Sequence, residues 1–371
     1  MTAKTTSPLQ RLSALGQSVW VDYLSREMIH GDELRYLIDE CAIVGATSNP
    51  TIFQKAMTGG DAYDEQLHEL AARGKSPEAS FWVLAVRDVS DACDVFRPIW
   101  ERTSGRDGFV SLEVDPRLAY DTLGTFREAM RLHDSVDRRN LFVKIPATKP
   151  GLGAIEDAIA RGRSINVTLI FSLRRYAEVA ESYTRGIERL IAEGGDPRAV
   201  ASVASFFVSR IDTETDRRLD EVGGHEDLKG KLAVANAKLA YEHYQQAFSG
   251  SRWEFLAAKG ASPQRVLWAS TSTKNPAYPD TKYVEELIGA DTINTMPEET
   301  IKAYQDHGDP HPRLHDGPEE ARRTFEQLRA AGVGYDDVTD TLEREGVEKF
   351  SSSFNELLTA LAAKQESLAP A

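Results

Sequence analysis

The stretch NLFVKIPAT at residues 140–148 sets a lysine, Lys144, inside an apolar run that predicts a buried β-strand. Apolar neighbours on both sides are typical of a parallel strand covered on both faces. Lysine is rarely fully buried, because removing its ammonium group from water is costly unless the group is paired or loses its proton. Pro146 ends the run, so we expect Lys144 near the carboxyl end of the strand. In α/β barrels that end carries the chemistry.

Seven further stretches of this kind predict a sheet of eight parallel strands. Most are rich in β-branched or aromatic residues and lack a strict alternation of apolar and polar positions. Amphipathic helical patterns separate them, for example at residues 152–162 and 228–248. Eight strand–helix units favour a closed α/β barrel of the (β/α)8 TIM type over an open sheet. The predicted strands cover residues 18–22, 42–48, 109–114, 141–146, 165–171, 199–209, 265–270 and 292–297.

Two regions depart from this regular alternation. The chain between the second and third strands, residues 50–108, predicts three or four helices, which we interpret as a helical insertion on the barrel. The tail from about residue 318 to 365 also predicts helix. Because no low-complexity linker divides the chain, residues 1–371 are expected to form a single domain.

The composition is typical of a soluble globular protein, with 41% apolar and 27% charged residues. No apolar run approaches the roughly 18 residues of a membrane span, and the amino-terminal segment lacks the apolar core of a signal peptide. Two cysteines, Cys41 and Cys93, are too few for a disulfide scaffold, which favours a reduced, cytoplasmic protein. A net charge of −14 without a basic stripe argues against nucleic acid as a partner. An anionic substrate would need a local basic site.

Polar side chains recur near the carboxyl ends of the predicted strands, and in a barrel these ends meet at one mouth. A lysine among apolar strand residues is expected to be neutral part of the time, and a neutral amine attacks a carbonyl to form a Schiff base. Carboxylates then move protons at the carbinolamine and C–C cleavage steps. The convergent set consists of Asp22, Thr47, Asn49, Glu113, Lys144, Asn166, Thr168, Ser205, Arg210 and Lys274.

Each of these residues also has an ordinary structural interpretation when it is taken alone. Lys144 can lie on a solvated strand face or extend from an edge. Asp22 can cap the segment that follows it, and Asn49 before Pro50 can be a turn residue. Glu113 can be a solvated charge at a strand end. Their joint placement at strand ends favours the functional interpretation.

No metal ion or other cofactor is expected. His307, His311 and His315 are clustered as zinc ligands can be, but Pro310 and Pro312 interrupt any helix that would align them. We therefore interpret this stretch as a solvated loop. Phosphate-loop and dinucleotide-binding patterns are also missing, and the iminium of a Schiff base is itself an electron sink.

Five motifs that follow one another along the chain resemble the transaldolase family, in particular its longer bacterial subgroup. The resemblance implies a class I aldolase-type barrel that moves a dihydroxyacetone unit between sugar phosphates in the non-oxidative pentose phosphate pathway. The donor would be sedoheptulose 7-phosphate or fructose 6-phosphate, and the acceptor glyceraldehyde 3-phosphate or erythrose 4-phosphate. The motifs are GATSNPTIF (45–53), SLEVDPRLAYDT (111–122), LFVKIPAT (141–148), INVTLIFS (165–172) and SFFVSRID (205–212).

The resemblance also implies a role for each matched residue. Lys144 would form the Schiff base and Asp22 would be the acid/base, while Glu113 and Thr168 would position a catalytic water. Arg210 would bind phosphate. The substrate-binding group that surrounds the dihydroxyacetone unit would contain Thr47, Asn49, Asn166 and Ser205.

One motif departs from the family pattern. Many members carry an SFRN-like stretch with a second phosphate arginine after the seventh strand, where this chain has STSTKNP and Lys274. Lysine is a point charge and lacks the two-pronged guanidinium, so its phosphate contact would be weaker. Two alternative functions stay open: an aldolase that releases free dihydroxyacetone, and a non-catalytic barrel that binds sugar phosphates. The assembly state also stays open between a monomer and a homodimer.

Overall fold

The computed structural model describes residues 6–368, in which eight parallel strands close into a barrel. Neighbouring strands follow chain order, and the eighth pairs back with the first, so the sheet has no open edge. All eight predicted strands are confirmed, most of them shorter at the ends than expected. They are β1 (Ser18–Val21), β2 (Ile43–Ala46), β3 (Val110–Glu113), β4 (Leu141–Pro146), β5 (Ile165–Ile170), β6 (Ser202–Phe207), β7 (Arg265–Ala269) and β8 (Ile293–Met296).

Helices surround the barrel, and the strand–helix alternation is the one that the sequence predicts. Short 3-10 turns lie at Pro116–Leu118, Pro197–Ala199 and Glu226–Leu228. The α-helices of the described chain are α1 (Pro8–Ala14), α2 (Arg26–His30), α3 (Glu33–Cys41), α4 (Pro50–Thr58), α5 (Asp64–Ala72), α6 (Pro77–Arg102), α7 (Thr122–Val136), α8 (Lys149–Ala160), α9 (Leu173–Ala192), α10 (Ser209–Val222), α11 (Leu232–Ala247), α12 (Gly250–Ala258), α13 (Lys282–Glu285), α14 (Glu298–His307), α15 (Pro318–Ala330) and α16 (Tyr335–Leu368).

The helix predicted over residues 228–248 is shorter than expected. Gly230 has a φ of 69°, in the left-handed region, and interrupts the pattern. The α-helix therefore begins at Leu232, after a separate 3-10 turn.

Helix caps immediately after the strands keep the loops at the mouth short. Asn49, Thr148 and Ser172 each accept a hydrogen bond from a backbone N–H in the first turn of the helix that follows, which are α4, α8 and α9. Because these caps lie at the carboxyl ends of β2, β4 and β5, the first turns of the three helices border the mouth of the barrel.

The opposite end of the barrel is closed by a buried ion pair. Nη1 of Arg265 lies 3.1 Å from Oδ1 of Asp107, and both side chains are about 10% exposed or less. Nη2 of the same arginine donates to Oγ of Ser18 and to the carbonyl of Thr292. This network joins β7, β1 and the segment before β8. Its side chains fill the amino-terminal end of the barrel and have a structural role there.

The insertion between β2 and β3 consists of three helices, α4, α5 and α6, and the tail forms α15 and α16. The long α16 packs on the insertion, where the rings of Phe354 and Phe81 lie 5.2 Å apart and Gln365 donates to Ser80. The tail is therefore anchored on the insertion, and it also packs directly on α10 and β5. Among residues 6–368, no helix combines the length and the apolar character that a membrane span requires.

Candidate active site

A cavity of about 430 Å³ opens at the carboxyl ends of the strands. Residues from six different strand–helix units line it, as expected for a site at the mouth of a barrel. Three predicted site residues, Glu113, Asn166 and Thr168, are buried behind its wall. The predicted site residues on the wall itself are Asp22, Thr47, Asn49, Lys144, Ser205, Arg210 and Lys274.

The side chain of Lys144 reaches this cavity from β4 and is 6% exposed. Its Nζ atom lies 2.9 Å from Oε1 of Glu113 and donates a 3.0 Å hydrogen bond to the carbonyl of Ser48. Strand register places Glu113 directly beside Lys144 on the neighbouring strand. The expected apolar setting is therefore right for the flanking residues of β4 and wrong for the amine, which contacts a carboxylate and a carbonyl.

The carboxyl group of Glu113 is buried, with Oε1 in the ion pair with Lys144 and Oε2 accepting a hydrogen bond from Ser48. Burial raises its pKa, while the charge of Lys144 and a 3.0 Å hydrogen bond from Ser48 to Oε2 act in the opposite direction. A carboxyl group with a raised pKa beside an amine is suited to accept and return a proton at that amine.

Asp22 follows β1 and is half-buried at the mouth. The Thr47 hydroxyl donates a 2.6 Å hydrogen bond to Oδ1 of Asp22 and shares a 2.7 Å hydrogen bond with the Thr295 hydroxyl. Because the proton of Thr47 goes to the carboxylate, Thr295 is the donor in the second bond. Burial raises the pKa of Asp22, against the charges of Lys144 and Arg210 and the hydrogen bond from Thr47. Thr47 therefore orients the carboxylate as well as lining the cavity.

Amide and hydroxyl groups form a chain behind Lys144. Asn166 is fully buried, its Nδ2 donates to Oγ of Ser111, and its Oδ1 accepts a 2.7 Å hydrogen bond from Ser205. The Ser205 hydroxyl reaches the cavity. Asn49 caps α4 by accepting a 3.0 Å hydrogen bond from the backbone N–H of Ile52, so its local role is that of a helix cap and not of a turn residue. Its amide nitrogen remains free to donate in the cavity.

Thr168 lies in the irregular part of β5. It is fully buried, and within residues 6–368 its hydroxyl has no hydrogen-bond partner. The next residue, Leu169, has a φ of 60°, an uncommon conformation for leucine, and the register with β6 shifts between Val167 and Ile170. A buried hydroxyl without a protein partner is costly, and a bound water would relieve that cost.

Two predicted cations lie on the same wall. Arg210 is the second residue of α10; its guanidinium stacks over the ring of Phe207 at 5.2 Å and makes no hydrogen bond within residues 6–368. Burial lowers the pKa of Arg210, against the charge of Asp22. Lys274 donates a 2.6 Å hydrogen bond to Oγ of Ser272. Both positive charges are available to an anion in the cavity.

Several residues of the site were not predicted. Ser48 lies inside the GATSNPTIF motif and Thr295 inside the eighth strand, so their positions near strand ends could have marked them as site residues. Ser111 alternates with Glu113 on β3 and was overlooked in the same way. Lys349 lies on α16, far along the chain from every strand end, and no local pattern marks it.

The histidine stretch after β8 does not join this cavity. His307 is the last residue of α14, a correction to the predicted loop, and it pairs with Asp280, while His311 pairs with Asp309. Between residues 6 and 368, no three His, Cys, Asp or Glu side chains cluster as metal ligands do.

A second cavity of about 480 Å³ lies among α11, α13 and α15, away from the mouth. It contains none of the predicted site residues. Most of its lysines are already engaged: Lys229 pairs with Asp220 and Lys282 with Asp212. The convergence of lysine, carboxylates and hydroxyls therefore makes the mouth the candidate active site.

Comparison with known proteins gives one consistent answer. The family model described as Transaldolase/Fructose-6-phosphate aldolase matches residues 19–361. A transaldolase of Acidothermus cellulolyticus is 52% identical over 363 residues, which cover 97% of this chain and 98% of the relative. A transaldolase of Saccharopolyspora erythraea is 52% identical over 355 residues, 95% of this chain and 96% of the relative. Transaldolase 2 of Streptomyces coelicolor is 48% identical over 368 residues, 98% of this chain and 99% of the relative. The chain therefore belongs to the transaldolase/fructose-6-phosphate aldolase family.

Proposed function

We propose that this protein transfers a dihydroxyacetone unit from a ketose phosphate to an aldose phosphate through a Schiff base on Lys144. The observation that carries the proposal is the position of the Lys144 amine at the mouth cavity. It lies 2.9 Å from Oε1 of Glu113, and its charge acts against the raised pKa of Asp22, which lines the same cavity. The donor is sedoheptulose 7-phosphate or fructose 6-phosphate, and the acceptor is glyceraldehyde 3-phosphate or erythrose 4-phosphate.

The first step needs a neutral amine, and Glu113 is the base in contact with it. Transfer of a proton from Lys144 to Glu113 frees the amine to add to the C2 carbonyl of the ketose, giving a carbinolamine. Return of a proton to the carbinolamine oxygen releases water and leaves the iminium. Burial raises the pKa of Glu113, which suits this exchange because it favours the protonated form that the transfer creates.

The second step breaks the carbon chain. Asp22 takes the proton of the C4 hydroxyl, C4 becomes an aldehyde, and the electron pair of the C3–C4 bond moves toward the iminium to form an enamine. The aldose phosphate leaves while the three-carbon unit stays bonded to Lys144. Thr47 holds the Asp22 carboxylate in one orientation for this transfer, which favours catalysis by correct positioning.

The last steps run in the opposite sense on a second aldose phosphate. The enamine carbon adds to the aldehyde, Asp22 returns its proton to the new hydroxyl, and water hydrolyses the iminium. The unpartnered hydroxyl of Thr168 and the carboxylate of Glu113 support the proposal that they position this water. Asn49, Asn166 and Ser205 would hold the dihydroxyacetone hydroxyls.

An aldolase that releases free dihydroxyacetone would use the same lysine, and the matched family model covers both activities. The names of the relatives favour transfer. Incubation with fructose 6-phosphate, with and without erythrose 4-phosphate, separates the two, because a transferase forms sedoheptulose 7-phosphate only with the acceptor. If free dihydroxyacetone accumulated without acceptor as fast as sedoheptulose 7-phosphate forms with it, the proposed transfer reaction would be overturned. A non-catalytic sensor would not need a buried lysine–carboxylate pair.

We further propose that residues 1–371 act as a single domain in the cytoplasm, as a monomer or a homodimer, on small sugar phosphates and without a cofactor. The packing of α16 on the insertion supports the single domain. Two free buried thiols, Cys41 and Cys93, support a reducing compartment. Light scattering after size-exclusion chromatography distinguishes the two assembly states.

A further inference from the structure

The carboxy-terminal helix α16 lies across one side of the active-site mouth. It packs on α4, on α10 and on the end of β5. The hydroxyl of Thr51, on the cavity wall, donates to Ser353 of α16 at 2.9 Å. The helix is thus held against α4 and α10, which line the cavity, and against β5 behind its wall.

A glycine allows α16 to approach the strand closely. A Cβ atom at Gly346 would lie 3.1 Å from Cδ2 of Leu169, which is the residue after Thr168. Lys349 follows Gly346 by three positions and therefore lies one turn farther along a similar helix face. Lys349 and its neighbour Phe350 both line the cavity.

Lys349 adds a positive charge to the wall that carries Arg210 and Lys274. It has no ion pair or hydrogen bond with any residue of the described part of the chain. The charge of Arg210 is the main cause that lowers the pKa of Lys349, followed by burial and the charge of Lys274. Arg210 and Lys274 are therefore both close enough to Lys349 to repel its charge.

The charge of Asp22 acts on Arg210, but within residues 6–368 neither Lys274 nor Lys349 has an ion-pair partner. Glu298 pairs with Lys302, and the charge of Glu299 acts on Asp22. In a chain of net charge −14, a concentration of unpaired cations favours an anion at that place. A bound dianion would remove the repulsion and gain charge-assisted hydrogen bonds.

We propose that Lys349 is a specificity-determining residue that binds the substrate phosphate together with Arg210 and Lys274, so that α16 is a functional part of the active site. This inference rests on the proposed function. In that reaction the phosphate lies on the carbons that leave as the aldose, while the dihydroxyacetone half stays on Lys144. Lys349 therefore binds the phosphate of both the ketose donor and the aldose acceptor, and it takes no part in the chemistry at Lys144.

The test compares Lys349→Met with Arg344→Met, which removes an exposed cation of the same helix that pairs with Glu348. The two variants change the net charge equally. We expect Lys349→Met to raise KM for glyceraldehyde 3-phosphate by about three- to tenfold, since the contact is partly solvated. KM for unphosphorylated glyceraldehyde should stay unchanged, and Lys349→Arg should restore most of the loss.

A titration with inorganic phosphate makes the result independent of turnover. Lys349→Met should weaken phosphate binding by the same factor, and Arg344→Met should not. Equal phosphate affinity in Lys349→Met and the wild type, or an equal loss in both variants, would overturn the inference. Failure of the proposed function has a different signature: the wild type would give no transfer and no borohydride adduct, while the phosphate titration would still decide the role of Lys349.

Discussion

The Nζ atom of Lys144 lies 2.9 Å from Oε1 of Glu113, and the two residues are register partners on β4 and β3. Because both side chains are buried, each stabilises the charged form of the other, and removal of either leaves an uncompensated group. Glu113 is therefore the ion-pair partner of Lys144 and, in the same contact, the base that can take a proton from its amine.

Glu113→Gln should lower kcat by at least about a hundredfold, because the substitution removes the base that contacts the amine. Single-turnover formation of the borohydride-trapped adduct should slow by a similar factor. Ser48→Ala is the matched control, since it removes the hydroxyl that donates to the other carboxylate oxygen and keeps the backbone carbonyl that accepts from Lys144. A kcat for Glu113→Gln within tenfold of the wild type would contradict the assigned role.

Asp22→Asn should abolish C–C cleavage and yet stabilise the fold at neutral pH. The pKa of Asp22 is raised by burial, above an unfolded value of about 3.9. Its favourable contribution is therefore present below the unfolded pKa and lost as pH rises through the folded pKa. The gain in Tm of the variant should be present at pH 7.5 and shrink toward pH 4. A lower Tm than the wild type at pH 7.5 would show that Asp22 supports the fold as an anion.

Arg210→Met should lower kcat/KM for fructose 6-phosphate by about one to two decades, the worth of one charge-assisted contact. Lys274→Met should cost less, because a lysine makes a single-point contact. Steady-state kinetics with unphosphorylated fructose is the control, and neither variant should lose much with it. Equal losses with fructose and fructose 6-phosphate would assign both residues to the fold or to the chemistry.

His133 should make the fold sensitive to acid. Its ring is buried on α7 and hydrogen-bonds the carbonyl of Ser164. Burial, with the charge of Arg163, lowers the pKa of His133 to about 4. An unfolded histidine has a pKa of about 6.5, so the contribution is complete above that pH and is lost as pH falls from there toward the folded value.

Urea unfolding of the wild type and of His133→Gln at pH 7.5 and pH 5 measures this contribution to the free energy of unfolding. Between pH 7.5 and pH 5 the wild type should lose about 2 kcal/mol more of that free energy than the variant. Equal losses in both proteins would show that a group other than His133 causes the acid sensitivity of the fold.

The barrel was predictable because its strands are short, apolar and separated by helical patterns, as Leu141–Pro146 illustrates. Site residues such as Asp22 and Arg210 were predictable because strand ends converge in any barrel. The contact between Lys144 and Glu113 was not, because the interstrand register of β3 and β4 is a tertiary property. Lys349 was not predictable either, because only the packing of α16 brings it to the mouth.

The most direct test of the account is borohydride reduction of the protein in the presence of fructose 6-phosphate, followed by peptide mass mapping. The account predicts a single dihydroxyacetone-derived adduct on the peptide that contains Lys144, and none in Lys144→Ala, whose circular dichroism should match that of the wild type. An adduct on any other lysine, or transfer activity of Lys144→Ala comparable to the wild type, would contradict it.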